Sequence, residues 1–539
     1  MKKHLLTTTL SCAAILFPLA RTFAADGTWN VTNGGQWTNP TYWTPNTGSA
    51  PGSTNSTDSI DVATFGDSIT AARTITVDTS RNVLGIVFNN TAFAYTLSSG
   101  SLLFSSGGYV NFTGSGTGIT NTISSTITNL GSGANFSNNS TSGALIVSGN
   151  LTGPASFINN STSGLLNVSG AVAGTAAAGE VTTLTIGGNN TSVTNQLGAG
   201  QVNDGANGGK LALVKTGDSI WYLSRNTTPQ NAHSGGTDVQ QGTLSMLNAS
   251  SVGTGTLTLG GLSGSGNAVL DLSSATANGT LANTIVARSG SSGAATILHT
   301  NTGTRTLNGV MTLNRDLTLS TTGQITVSGG MVGSGSLIKT GAGTLALNAG
   351  TLRGGTGAVV ISNGTATMAT QINSMTENMR LEVAAGTSFT YATAGATVAG
   401  LDGAGSVVQN VTTARSLRLG GTGNYSFSGS LTNINTGAMG LIVDLKEGGS
   451  QVFSGANYHN GDTRLRSGTF ALDYSSSSAS KLSDTNILYL NGGTLDLRGG
   501  SGTETVGSTS VAGGAQATIT RSSGSTVLAL NALSTGNGG

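Results

Sequence analysis

Only one cysteine, Cys12, occurs in 539 residues. It follows Thr9-Leu10-Ser11 inside an apolar N-terminal run, not at the run's end where a lipid-modified cysteine would stand. Without that run the chain has no cysteine, which excludes disulfides and thiol chemistry. Charge is also scarce: 8% of residues are Asp, Glu, Lys or Arg, and the net charge is +1. No field of one sign draws the chain to nucleic acid or anionic lipid. Nor does it have the high net charge of disordered sequences. The 6 prolines exclude a Pro-rich linker, and aromatic residues make up only 5%. Beyond the N-terminal run the histidines are His233, His299 and His459, far apart and without metal-ligand spacing. Calcium-binding Gly-Asp nonapeptides are absent. A helical apolar period is missing too. Residues 370–383 come nearest, but Asn373, Ser374 and Asn378 break the pattern, so the stretch reads as a strand with a decorated loop.

What is abundant is glycine, at 84 residues, together with Ser, Thr, Asn and β-branched residues. Short alternating runs are separated by turn residues, as in Thr74-Ile75-Thr76-Val77-Asp78, Leu84–Phe88 and Ala94–Leu97. Such runs predict strands. PheSerAsnAsnSerThrSerGly from Phe136 recurs as PheIleAsnAsnSerThrSerGly from Phe157, an offset of 157 − 136 = 21 residues. That length suits one turn of a β-helix. Stacking would place Asn138 by Asn159 and Asn139 by Asn160 in amide ladders. Turns of about 21–25 residues at ~4.8 Å predict roughly 20–25 turns and a rod of about 100–120 Å.

The N-terminus has the form of a secretory signal. Lys2, Lys3 and His4 precede the apolar Leu5–Ala20, and Thr22-Phe23-Ala24 offers a cleavage site after Ala24. At ~16 residues the apolar run is short for a membrane span. Residues 25–67 hold Trp29, Trp37 and Trp43, three of the four tryptophans. They predict a cap over the first solenoid turn, the alternative being an aromatic platform for carbohydrate. Residues 68–206 then read as turns with the 21-residue repeat, and 207–539 as further solenoid. The chain stops at Ser534–Gly539 with no β-barrel strands or hydrophobic anchor before it. This reads as a truncated gene or a passenger whose translocator is encoded elsewhere.

One unit recurs in the second part. Leu213-Val214-Lys215-Thr216-Gly217 leads to Gly242-Thr243, Leu337-Ile338-Lys339-Thr340-Gly341 leads to Gly364-Thr365, and Asp444-Leu445-Lys446-Glu447-Gly448 leads to Gly468-Thr469. The copies span about 211–246, 335–368 and 442–472. In the first, Trp221 sits in the strand, and Pro229 and His233 fall in the turn. With Val214, Ile338 and Leu445 assigned to the core, Lys215, Lys339 and Lys446 are predicted to face solvent and blunt edge pairing. A ligand-binding stripe is the alternative.

These paired strands resemble the autotransporter-associated β-strand repeat, also called the passenger-associated transport repeat, of proteins exported by Gram-negative-type bacteria. The resemblance covers the three copies of the unit and no more. It implies an extracellular β-solenoid, delivered by an outer-membrane translocator this chain does not encode, and no reaction. Right-handed coiling follows from the resemblance and from the crossover rule for parallel strands.

Chemical motifs are weak. Phe65-Gly66-Asp67-Ser68-Ile69-Thr70 resembles the nucleophile block of SGNH-type esterases, with Ser68 as nucleophile. The matching Asp-x-x-His is absent, since Gln230, Thr296 and Ala456 stand three residues before the histidines. Gly-x-Gly strings such as Gly341-Ala342-Gly343 have no helix to open, so they read as turns. Asp271 and Asp496, each between leucines, are predicted to point outward and stand alone.

The sequence therefore predicts an all-β, right-handed parallel β-helix with an N-terminal cap. It predicts no catalytic, cofactor or metal residues. The role read from it is a secreted or cell-surface adhesive or matrix element, whose partners are a translocator and extracellular glycans or cell surfaces, not nucleic acid. The rival reading is a secreted polysaccharide-active β-helix enzyme.

Overall fold

The structure is a computed structural model. It describes residues 25–52, 59–198, 200–224, 231–273, 279–348, 354–368, 375–392, 395–514 and 516–536. Residues 1–24, Pro229 and part of 370–383 lie outside the described residues.

The chain is a parallel β-solenoid, and its longest sheet among the described residues stacks 21 strands, about one per turn. The strands pair parallel, each with its successor one turn on; among the described residues a single antiparallel strand pair lies at the N-terminal end. The clearest turn has strands Met311–Leu313, Leu317–Thr321 and Gln324–Val327. The next turn repeats all three at one constant offset, pairing Met311 with Met331, Leu317 with Leu337 and Gln324 with Thr344. Inward side chains stack in aliphatic ladders such as Ile297–Leu319, all shielded from water. Each such Leu, Ile or Val contributes about 1.5–3 kcal/mol relative to an exposed one.

Turn length varies with its loops. The step from Ser388 to its partner Ser406 is short, and the step from Val172 to its partner Val202 is long. The longer turns put the total near the low end of the expected 20–25, and the rod at roughly 90–100 Å at ~4.8 Å per turn.

The duplicated segment forms two successive turns. Phe136 pairs with Phe157 at the expected offset, their rings 4.9 Å apart. The outer amide ladder exists: Asn160 Nδ2 donates to Asn139 Oδ1 at 3.1 Å, and Asn139 Nδ2 to Asn111 Oδ1 at 2.8 Å. The inner one does not. Asn138 and Asn159 are in register, yet each donates across its own turn, to the Gly143 and Gly164 carbonyls at 2.8 Å. Each amide is fully buried, and a carbonyl orphaned by the tight turn is the nearer acceptor.

At the N-terminal end, strand Gly27–Trp29 pairs antiparallel with Trp43–Thr44 and parallel with Val62–Phe65. Trp29, Trp37 and Trp43 are buried, and Trp43 lies 5.2 Å from Trp29 and 5.6 Å from Phe65. Trp37 Nε1 donates to the Pro51 carbonyl at 2.8 Å and Trp43 Nε1 to the Trp37 carbonyl at 2.9 Å. With their faces covered, these rings form a lid on the core and are no platform for a sugar.

Candidate functional site

The recurring lysines are placed differently from the expectation. Strand Lys210–Lys215 turns Leu211, Leu213 and Lys215 inward, and strand Leu337–Thr340 turns Leu337 and Lys339 inward. Lys215 stacks between Ile186 and Val239, and Lys339 between Leu319 and Ile361. Both lysines are fully buried, while Val214 and Ile338 are the partly exposed neighbours. The reason is the corner that follows each strand. A sharp turn there leaves carbonyls without N–H partners, and an ammonium supplies three donors. Lys215 Nζ donates to the carbonyls of Thr216 (2.8 Å), Gly217 (2.7 Å) and Gln241 (2.9 Å). Lys339 Nζ donates to those of Thr340 (2.7 Å), Gly341 (2.6 Å) and Asn363 (3.1 Å).

This geometry explains why the unit has two halves. The third carbonyl comes from the next turn, just before the Gly of Gly-Thr. A Cβ on Gly242 would lie 2.6 Å from Lys215 Nζ, and one on Gly364 2.9 Å from Lys339 Nζ. Burial pulls the Lys215 ammonium down to about 7, against the pull of Asp218, and Lys339 down to about 8.

The third copy slips by one residue. Leu445 follows Val443 in the inward alternation and sits over Gly468, while the pairing with the next turn shifts register between Val443 and Asp444. Leu445 is buried, as expected, and Lys446 is exposed and pairs with Glu377. Glu447 takes a positive φ of 52° in the shifted turn.

The candidate chemical residues are dispersed. Ser68 Oγ donates to the Trp29 carbonyl at 2.8 Å and lies 3.2 Å from Tyr95 Oη. Asp67 accepts from Thr91 and Ala92. The strand beside His233 lies seven pairings further along the sheet, roughly 34 Å at ~4.8 Å each. Ser68 thus ties the cap to the first turns and has no imidazole within reach among the described residues. His233, His299 and His459 are all buried in separate turns. No group of three or more His, Cys, Asp or Glu side chains could hold a metal among the described residues.

Neither aspartate between leucines stands alone. Asp271 accepts from Ser245 Oγ and the Ser273 N–H. Asp496 points to the outer face but is nearly covered, accepting from Arg498, Thr520 and Ser522. Neighbouring turns supply Ser245, Thr520 and Ser522, which alternation along one strand does not reveal.

One polar cluster leaves no mark in the sequence. Glu504, buried, accepts from Tyr474 Oη at 2.5 Å, from Ser480 Oγ at 2.9 Å and from the N–H groups of Lys481 and Leu482. Lys481 Nζ lies over the Tyr474 ring and donates to four carbonyls at 3.2–3.4 Å. The cluster pins a Ser-rich loop to the solenoid.

Among the described residues, an open groove of about 350 Å³ on the outer surface is lined by Gly107, Gly133, Asn135, Pro154, Ser156 and Thr185. None of its lining residues is charged. It can present hydroxyl and amide groups, and has no acid–base pair.

No curated protein and no solved structure matches the chain. The passenger-associated-transport-repeat family matches residues 213–246 and 447–472, the first and third copies of the recurring unit. The chain therefore carries passenger-associated transport repeats, built into a continuous β-solenoid.

Proposed function

We propose that this chain is a passenger-like structural element, exported and displayed at the cell surface or released, where its long, weakly charged flank serves adhesion or matrix building. Supporting this is the pair of transport-repeat matches embedded in one uninterrupted stack of strands. The fold alone would not separate this role from a polysaccharide-active enzyme. Against an enzyme stand the distances between Ser68 and the histidines and the structural engagement of Asp271 and Asp496. The partners proposed are an outer-membrane translocator and extracellular glycans or cell surfaces.

The test is to express the chain in a Gram-negative host behind its own residues 1–24 and fused to a translocator barrel. Surface exposure should appear by protease shaving of intact cells, with a new N-terminus at Ala25, and such cells should adhere to glycan-coated surfaces. A cytoplasmic product retaining Met1, or turnover on a polysaccharide panel, contradicts the reading. Ser68→Ala should leave any esterase background unchanged.

A further inference from the structure

The two family-matching segments share a feature that export does not require. Each places a histidine nine residues before the Gly of Gly-Thr: His233 before Gly242, and His459 before Gly468. The contacts are also the same. His233 Nε2 lies 3.0 Å from Thr237 Oγ1, and His459 Nε2 lies 3.0 Å from Thr463 Oγ1. Thr237 Oγ1 donates its own proton to the Val252 carbonyl at 2.9 Å. It must therefore accept from the imidazole, which fixes the neutral tautomer protonated on Nε2. Nδ1 then points into the protein without a hydrogen-bond partner in both cases. The imidazoles are 0% and 3% exposed. The His233 ring lies flat on Gly253, where a Cβ would come within 2.7 Å of it.

We infer that His233 and His459 are acid-opened latches: adding a proton to the enclosed Nδ1 forces each imidazole out and opens its own turn. A charged imidazole needs a second acceptor, and Nδ1 of neither ring has a hydrogen-bond partner while the turn is closed. The middle copy is the internal control, because Gly355 holds the same position, between Met331 and Met379.

The surroundings set the direction. Burial pushes His233 down to about 4 from 6.5, against the pull of Asp204 and the Val202 and Val252 carbonyls. Asp204 is itself held by Ser234 and the Leu211 N–H. Burial alone pushes His459 down to about 4. Asp462, on the same turn, is engaged by Arg464 and the Ile487 N–H, and Lys481, on the next, by its four carbonyls. With the folded value below the unfolded one, the contribution is complete above about pH 6.5 and is lost as pH falls toward 4. Full protonation raises each turn's opening constant by roughly 300-fold.

Hydrogen exchange of the full secreted chain, read by mass spectrometry at pH 7 and pH 4.5, tests this. Peptides over 233–239 and 459–465 should lose protection on acidification, while those over 355–361 keep it. In a His233→Gln, His459→Gln chain, whose amides can still donate to the threonines, the acid loss should disappear. Deuteration at the imidazole C2 positions gives each titration in the unmutated chain, so the test survives if the variant does not fold. Equal loss in all three copies, acid opening that persists in a folded variant, or ordinary imidazole titration at both sites overturns the inference.

Discussion

Lys339 sits where a leucine would be routine. Its three carbonyl partners decide the matter, because a leucine would offer them no donor. Lys339→Ala removes all three hydrogen bonds and opens a cavity, so it should cost about 2–4 kcal/mol, read as a fall in the urea midpoint. Lys446→Ala, at the exposed equivalent, should change stability by no more than about 0.5 kcal/mol. The glycine opposite carries the same constraint. Gly364 has a φ of 77°, and its added Cβ would meet Lys339 Nζ. Gly118, at φ 74°, faces open space. Gly364→Ala should therefore destabilise clearly more than Gly118→Ala, which carries only the ~1 kcal/mol backbone penalty. The lysine ammonium also links stability to pH. Both folded values, about 7 and about 8, lie below 10.5, so between them the unfolded chain holds more protons. Stability should rise from pH 7 to pH 9.5, and Lys339→Met should reduce that slope. None of this was legible from alternation. Val-Lys and Ile-Lys have the same pattern in either register, and the carbonyls that close each lysine site, of Gln241 and Asn363, belong to the next turn.

At the scale of one turn, the sequence was far more informative. The 21-residue duplication measured the coil directly, since Phe136 and Phe157 had to occupy equivalent inward positions. The tryptophan cluster announced the lid for a similar reason: such large apolar rings need a core to cover. What stayed hidden was which polar side chains turn inward. Asn138 and Asn139 are adjacent and identical in type, yet the first donates to backbone carbonyls inside the coil and the second joins an amide ladder on its surface. Substitution separates them. Asn159→Ala removes a buried amide bonded to Gly164 and Asn195 and should cost about 1–3 kcal/mol. Asn160→Ala, on the exposed ladder, should cost less than about 1 kcal/mol. Phe157→Ala, which empties a fully buried ring position, should cost about 3–5 kcal/mol. Thermal or urea unfolding of the three variants ranks them.

Over the whole molecule, the account rests on the turns forming one continuous stack. The proposed surface role follows from that shape, since a long flank with few charges presents repeated surface. The loops that lengthen individual turns shorten the rod relative to a uniform 21-residue coil, and radius of gyration then discriminates weakly. A uniform rod of about 90 Å gives about 26 Å and a globule of this length about 24 Å. The maximum dimension separates the two. Small-angle scattering of the monomer should give a skewed pair-distance distribution extending to at least ~90 Å, together with a rod-like cross-section. A symmetric distribution ending near ~62 Å, the diameter of a sphere with the globular radius, would contradict the solenoid and the surface role proposed for it.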